Sequence, residues 1–251
     1  MMTVLSRRSL HHPVTQSVIL GVAFSMSSTA GASHKIYSPA VEEGEWELEW
    51  RGHVTSDDRS GFDDRQRLIF EAGYGWTATW FASLFAEVEK DTVDGSYEVE
   101  ALAWENIYML GSPGQYWLDA AVYGEIELAL EDGVPNKFEG KLLLEKALRR
   151  TLNTLNLNIE KETGDNAEDE VELEYAWRTK WRWKPVFEPA IEVYGNTEGA
   201  PQRIAEFGPV VGGQYRLGRG KLVYDFGILF GTTNASADRT LKWALEYEYR
   251  F

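Results

Sequence analysis

Cysteine is absent from the 251 residues of the chain. Its absence excludes disulfide bonds, thiolate nucleophiles and a lipid anchor attached through cysteine. Histidine is nearly absent as well, since only His34 and His53 follow the first 32 residues. Chemistry that depends on either residue type therefore has very few positions at which it could take place.

Positive charge is also in short supply. The chain has 25 Lys and Arg residues against 40 Asp and Glu residues, which gives a formal net charge of −15 at pH 7. Nucleic-acid binding needs clustered Lys and Arg along the phosphate backbone, so this composition argues against a nucleic-acid partner. The same imbalance argues against docking on anionic lipid head groups by charge.

The apolar stretch Ser17–Met26 (SVILGVAFSM) is well short of the roughly 20 residues that a membrane-spanning helix needs. It follows two arginines and precedes an A-x-A site at residues 30–32. A basic start, a short apolar stretch and a small-residue site are typical of an export signal. We therefore expect residues 1–32 to be a cleavable signal peptide and residues 33–44 to form an N-terminal periplasmic segment.

Aromatic residues, by contrast, are abundant: they make up 13% of the chain, with ten tryptophans, yet the mean hydropathy is −0.37. Apolar and charged side chains coexist because they alternate along the sequence. In the last segment, Lys242, Ala244, Glu246, Glu248 and Arg250 separate six apolar residues, which are Leu241, Trp243, Leu245, Tyr247, Tyr249 and Phe251. A period of two predicts a β-strand with one apolar and one polar face.

This alternation recurs from Glu45 onward and predicts twelve strands, mostly of the about 9–11 residues that a tilted strand needs to cross a membrane. Polar connections alternate with shorter, turn-like ones, as in transmembrane barrels. We predict an all-β fold, a transmembrane antiparallel up-and-down β-barrel over residues 45–251, with ten or fourteen strands as alternatives. Pro189 and Pro209 remove ladder hydrogen bonds, so we expect bulges or displaced strand ends there.

A soluble β-sandwich is the competing fold, because it is also built from short alternating strands. Its solvent face would not carry aromatic residues near so many strand ends, whereas barrels place aromatic girdles at both membrane interfaces. The expected girdle residues are Trp46, Trp50, Trp76, Trp80, Trp117, Trp181, Trp183, Tyr215 and Trp243.

The terminal stretch Leu241–Phe251 ends in Phe and has aromatic residues two and four positions earlier. In this it resembles the C-terminal signal of Gram-negative outer-membrane β-barrel proteins of the porin or transporter type. The resemblance implies that Tyr247, Tyr249 and Phe251 are presented to the barrel-assembly machinery. It also implies an outer-membrane location among lipids and lipopolysaccharide. A weaker similarity, over Leu222–Phe251, is to barrels of phenol meta-cleavage pathways.

Charged residues on the polar strand faces would line the lumen of such a barrel. Rings of acids raise the local cation concentration, so we predict a channel for passive diffusion of small polar or amphipathic solutes that mildly favours cations. We expect no cofactor, no metal and no enzymatic activity. The predicted pore-lining residues are Glu47, Glu49, Arg51, Arg65, Arg67, Glu71, Glu87, Glu125, Glu127, Glu172, Glu174, Arg178, Glu192, Glu246 and Glu248.

Two alternatives stay open. Acids and bases could pair and fill the bore, because twelve strands lie between filled eight-stranded barrels and open barrels of sixteen or more. A hydrolase acting on lipid or lipid A is the other alternative, although a catalytic triad is defined by geometry and turns are ordinarily rich in Ser and Asp. Its candidate residues are His53, Thr55, Ser56, Asp57, Asp58 and Ser60.

Overall fold

The computed structural model describes residues 34–91, 95–196 and 203–251. The expected signal peptide, residues 1–32, lies outside the described residues. Within the described ranges, no helix is long and apolar enough to cross a bilayer.

Twelve strands form one closed antiparallel barrel, in which each strand pairs with its sequence neighbours and the last strand pairs with the first. The predicted up-and-down barrel and its strand number are therefore confirmed. The strands are β1 (Glu45–Ser56), β2 (Gln66–Thr77), β3 (Trp80–Lys90), β4 (Glu98–Met109), β5 (Asp119–Ala129), β6 (Asn136–Leu148), β7 (Thr151–Thr163), β8 (Val171–Trp181), β9 (Glu188–Asn196), β10 (Arg203–Leu217), β11 (Gly220–Gly231) and β12 (Arg239–Arg250).

The alternation of the sequence separates the two faces of the barrel wall. Leu84 on β3 points outward and is 65% exposed, whereas its neighbour Phe85 points into the lumen and is 5% exposed. On the opposite side, Ile191 is 57% exposed and Glu192 is fully buried. An apolar surface that encircles the molecule is the mark of contact with lipid. The soluble sandwich is excluded, because in that fold the apolar faces would point inward.

The two ends of the barrel differ in their connections. Tight turns at residues 78–79, 149–150 and 218–219 lie at the end where β1 begins and β12 ends. Longer loops, such as residues 57–65 and 232–238, lie at the opposite end. Outer-membrane barrels have short periplasmic turns and longer outer loops. We therefore name these the periplasmic end and the outer end.

The predicted aromatic girdles are only partly formed. Most of the predicted residues cluster at the periplasmic end, where Trp76 stacks on Trp80 with ring centroids 6.0 Å apart. Trp50 and Trp243 lie further along their strands and contact each other at 5.8 Å. The residues predicted for two girdles thus form one girdle, at the periplasmic end. Trp50 and Trp243 form a separate pair within the apolar band.

The prolines disturb the sheet less than predicted. The irregularity between β9 and β10 lies between Ile204 and Glu206, not at a proline. Pro209 stays in register with Ile191, but the ladder to β11 is interrupted at residues 208–209 because proline has no N–H to donate. The predicted bulges at the prolines are wrong. A displaced strand end fits Pro189, the second residue of β9.

We expected residues 33–44 to form a periplasmic segment. Residues 34–44 instead run inside the barrel toward the periplasmic end, and we name them the lumen segment. At Gly44 the chain reverses into β1 with φ of 77°, a conformation that favours glycine. The Gly44 amide donates to the Gly75 carbonyl at 2.8 Å, and a Cβ on Gly75 would lie 2.0 Å from the Glu42 carbonyl oxygen.

Candidate functional site

Tyr37 anchors the lumen segment. Its backbone N–H donates to Asn156 Oδ1 at 2.8 Å, and its carbonyl accepts from Asn156 Nδ2 at 2.9 Å. The hydroxyl donates to Glu105 Oε2 at 3.1 Å and accepts from Arg51 at 3.4 Å. The ring packs against buried apolar side chains of β3 to β6, including Leu143. Because every polar group of this tyrosine is paired, its burial stabilises the segment inside the bore.

The preceding residues attach the segment to other parts of the wall. Lys35 Nζ lies 3.0 Å from Glu49 Oε1 and 3.4 Å from Glu71 Oε2, on β1 and β2. Ile36 is buried among apolar side chains of β8 to β11, including Ala176. The segment therefore contacts strands on opposite sides of the barrel and divides the lumen.

Two cavities flank the lumen segment. The outer cavity has a volume of about 430 Å³ and is lined in part by Glu89 and Glu174. The periplasmic cavity has a volume of about 440 Å³ and is lined in part by acids of β1 and β12. Four residues line both cavities, so any path between them runs past these side chains, which are His34, Lys35, His53 and Arg67.

Acids and bases are paired over much of the lumen surface. Arg51 donates to Glu49 and Glu71. Lys242 Nζ lies 2.7 Å from Glu192 Oε2. Buried charges need such partners, because each has lost its hydration. We name this surface the paired wall, and its residues are Glu49, Arg51, Arg67, Glu71, Glu87, Arg178, Glu192, Asp225 and Lys242.

A different arrangement follows β4 to β8. Five glutamates lie directly opposite one another on these successive strands, and we name them the acidic row: Glu105, Glu125, Glu139, Glu160 and Glu172. Residues that face each other across paired strands share one face of the sheet, which here is the lumen face. Because barrel strands tilt, a row of facing residues climbs along the barrel axis. Its last member, Glu172, lies at the outer end of β8.

The same line of facing positions continues toward the periplasm. From Glu105 it passes through Ser83 and Gly73 to Glu47, and from there to Glu248. Glu47 and Glu248 line the periplasmic cavity. One continuous line of facing positions therefore runs around the lumen from the periplasmic end to the outer end. Carboxylates occupy its periplasmic part, at Glu248 and Glu47, and its outer part, which is the acidic row.

The acidic row has fewer bases than acids. Lys141 Nζ lies 2.8 Å from Glu139, and Lys137 Nζ lies 3.8 Å from Glu160. The Tyr123 hydroxyl lies within hydrogen-bonding distance of both Glu105 and Glu125, and its single hydrogen is donated to one of them at a time. Each glutamate of the row faces another glutamate across the strands, and like charges directly opposite each other are destabilising.

All predicted pore-lining residues but Arg65 lie on inward strand faces, and conduction past them stays a prediction. Arg65 lies in loop 57–65, just before β2, and lines the outer cavity. Seven of them belong to the paired wall and two, Glu125 and Glu172, to the acidic row. Sequence reasoning missed Lys35 and Tyr37 of the lumen segment and three members of the acidic row, which are Glu105, Glu139 and Glu160. Glu105 was recognisable, since it is the one charge on the inward face of a stretch that alternates Ala101 and Ala103 with large apolar residues.

The residues considered for a catalytic triad are not brought together. His53 Nδ1 lies 3.3 Å from His34 Nδ1. The Asp57 carboxylate instead accepts from the Arg59 side chain at 2.8 and 2.5 Å and from the Asp238 amide at 3.0 Å. These hydrogen bonds, chiefly from Arg59, hold the pKa of the Asp57 carboxyl well below its usual range. Asp57 thus ties loop 57–65 to loop 232–238 at the outer end.

The predicted assembly signal lies on the outward face of β12. Tyr247 and Tyr249 stack with ring centroids 6.4 Å apart, and Tyr249 contacts Phe251 at 4.8 Å. The three rings form one outward surface beside the periplasmic end. Recognition of this surface by the assembly machinery stays a prediction.

Solved structures that match the chain include two porins and LpxR. The KdgM porin in complex with disordered oligogalacturonate has a TM-score of 0.51 and 10% identity, covering 82% of this chain and 99% of that one. The NanC porin has a TM-score of 0.51 and 13% identity, covering 81% of this chain and 100% of that one. LpxR from Salmonella typhimurium has a TM-score of 0.47 and 7% identity, and the match covers 82% of this chain and 100% of LpxR.

No protein-family profile matches the chain. The comparison with curated proteins found no match either. At identities this low, likeness to a solved structure establishes the fold and leaves activity open. The chain is therefore a closed twelve-stranded barrel whose fold is similar to that of the KdgM and NanC porins.

Proposed function

We propose that the protein is an outer-membrane channel for passive diffusion of small polar or amphipathic solutes, with a mild preference for cations. The observation that carries this proposal is the pair of cavities, one open toward each end, that approach each other at four shared polar side chains. Solutes would pass down their gradient without a cofactor or a chemical step.

The lumen segment sets the size limit of the proposed channel. It lies across the bore between Glu49 on one side and Asn156 on the other. A solute must pass beside it, so the channel suits small solutes. The acidic row then favours cations among them, because a low-dielectric lumen strengthens the field of its carboxylates.

The same proposal includes how the protein reaches its membrane. Residues 1–32 would direct export and be removed. The aromatic surface of Tyr247, Tyr249 and Phe251 would bind the barrel-assembly machinery. The outward apolar band would then contact outer-membrane lipids and lipopolysaccharide.

The competing proposal is a closed structural barrel, and one observation favours it. Tyr37 and the ion pairs around it fill the middle of the lumen. If thermal motion does not open a path beside them, ions do not cross. The position of His53, opposite His34 and not beside a serine and Asp57, gives no support to the hydrolase alternative.

Single-channel recording in a planar bilayer separates these proposals. The refolded chain lacking residues 1–32 should give a small, steady conductance with cation preference. The chain that begins at Glu45 keeps all twelve strands and should conduct more, because the lumen segment is gone. Silence of the chain lacking only residues 1–32, with folding verified by heat-modifiable gel mobility, would establish the closed barrel whether or not the shorter chain conducts. Equal conductance would show that the segment does not narrow the path.

A further inference from the structure

Two histidines meet inside the lumen. His34 and His53 are the only histidines after His12, and they belong to different elements, the lumen segment and β1. Their Nδ1 atoms are 3.3 Å apart, and the ring planes cross at 74° with centroids 4.5 Å apart. Both side chains line both cavities and so lie where the two cavities approach each other.

Glu206 determines which nitrogen of His34 is available. The His34 Nε2 atom lies 2.6 Å from Glu206 Oε2, and the other oxygen of Glu206 accepts from Thr240 at 2.8 Å. An ionised carboxylate can only accept a hydrogen bond, so Nε2 carries the hydrogen and donates it, and Nδ1 of the neutral ring keeps its lone pair. A histidine held through its second nitrogen by a carboxylate is the usual arrangement around bound metal ions.

We propose that His34 and His53 bind one divalent transition-metal ion through their Nδ1 atoms, with water completing the coordination. Two nitrogens bound to one zinc at about 2.0–2.1 Å with tetrahedral geometry lie about 3.3 Å apart, which matches the observed separation. Imidazole nitrogen suits Zn²⁺, Cu²⁺ and Ni²⁺, whereas Mg²⁺ and Ca²⁺ prefer oxygen ligands. The adjoining cavities give space for the water ligands.

The bases near the pair are themselves compensated. Arg67 donates to Glu87, and Lys242 lies 2.7 Å from Glu192. Glu206 adds a negative charge on the far side of His34. The local charge therefore admits a cation. This metal site goes beyond the proposed channel and does not depend on conduction, because binding can be measured on folded protein in detergent.

Calorimetric titration with ZnCl₂ and with CuSO₄ tests the proposal on the folded chain lacking residues 1–32. One metal ion should bind per chain, and MgCl₂ should give no comparable signal. His53→Gln should abolish binding, and Glu206→Gln should weaken it by about 10–100-fold, as loss of a supporting carboxylate does. If His53→Gln compromises folding, His34→Gln provides the same test, because His34 lies outside the strands.

A matched control comes from the carboxylates of Glu98, Glu100 and Glu131, which lie close enough together to hold a cation. Removing two of them with Glu100→Gln and Glu131→Gln should leave zinc binding unchanged. The Cu²⁺ electron paramagnetic resonance spectrum should show nitrogen ligands that disappear in the histidine variants. Absence of binding, or zinc binding that survives loss of either histidine, would overturn the proposal.

Discussion

The paired wall and the acidic row occupy the same lumen and use the same residue types, yet their charges are arranged differently. On the paired wall, Arg51 lies between Glu49 and Glu71, and Lys242 lies beside Glu192. In the acidic row, Glu125 faces Glu105 on one neighbouring strand and Glu139 on the other. The first arrangement compensates charge within the protein, whereas the second places like charges opposite each other with fewer bases beside them.

This difference predicts that the two parts of the lumen surface have different roles. A compensated buried pair contributes little field to the bore but becomes costly once one partner is removed. A row of like charges opposes folding slightly and produces a strong local potential. We therefore expect substitutions on the paired wall to change stability and substitutions in the acidic row to change ion selectivity. Tyr37 links the two, since its hydroxyl contacts both Arg51 and Glu105.

The largest loss of stability is expected from Arg51→Met. It leaves the buried carboxylates of Glu49 and Glu71 with Lys35 as their remaining base, and breaking a buried ion pair costs about 3–5 kcal/mol. Urea unfolding in detergent measures the change. Lys180→Met is the control, because the more exposed pair of Lys180 with Glu188 should contribute less than about 1 kcal/mol. Equal losses in the two variants would contradict the distinction between buried and exposed pairs.

Tyr37→Ala should lower the free energy of unfolding by about 3 kcal/mol, as truncation of a large buried side chain does, and should raise the conductance. Tyr37→Phe keeps the ring and loses only the hydroxyl contacts with Arg51 and Glu105. It should cost about 1–2 kcal/mol. If Tyr37→Ala left both stability and conductance unchanged, the lumen segment would not be held inside the barrel.

Glu125→Gln should raise the free energy of unfolding, whereas the two preceding substitutions lower it. It removes a charge that faces acids on both sides, so stability should rise by about 0.2–1 kcal/mol. Glu87→Gln is the matched control on the paired wall, because it removes a charge that pairs with Arg67, and it should destabilise the protein. Destabilisation by both substitutions would mean that Glu125 is compensated as fully as Glu87.

The smallest effect is expected at the outer end and depends on pH. Hydrogen bonds from Arg59 lower the pKa of Asp57 in the folded protein, so this contact stabilises the loops above the unfolded pKa of about 3.9. The contribution is lost as the pH falls through the lower folded pKa. The Asp57→Asn variant should therefore have a lower free energy of unfolding in urea than the original protein at pH 6. The two free energies should converge in strong acid. A difference independent of pH would contradict this assignment.

The barrel was predictable because its signal is local. A period of two over segments such as Leu241–Phe251 fixes which side chains face lipid, and an even strand number follows from the alternating connections. The inward position of the charged residues followed from the same period. Their pairing partners did not, because register between strands depends on contacts that no single segment contains.

The lumen segment was missed for a physical reason. Its sequence, HKIYSPAVEEG, has neither the strand period nor an apolar stretch, and it reads as a polar linker. It is held by residues far along the chain, since Tyr37 bonds Asn156 and His34 bonds Glu206. Only the closed barrel brings these partners around it. The histidine pair was out of reach for the same reason.

The reversal potential in a KCl gradient tests most directly whether the acidic row guides the ion path. The protein should select cations, and replacing both Glu125 and Glu139 with Gln should shift the reversal potential toward zero. The shift should be larger near 0.1 M salt, where charges act over about 10 Å, than at 1 M, where they act over about 3 Å. Anion selectivity, or a reversal potential unchanged by the double substitution, would contradict the account.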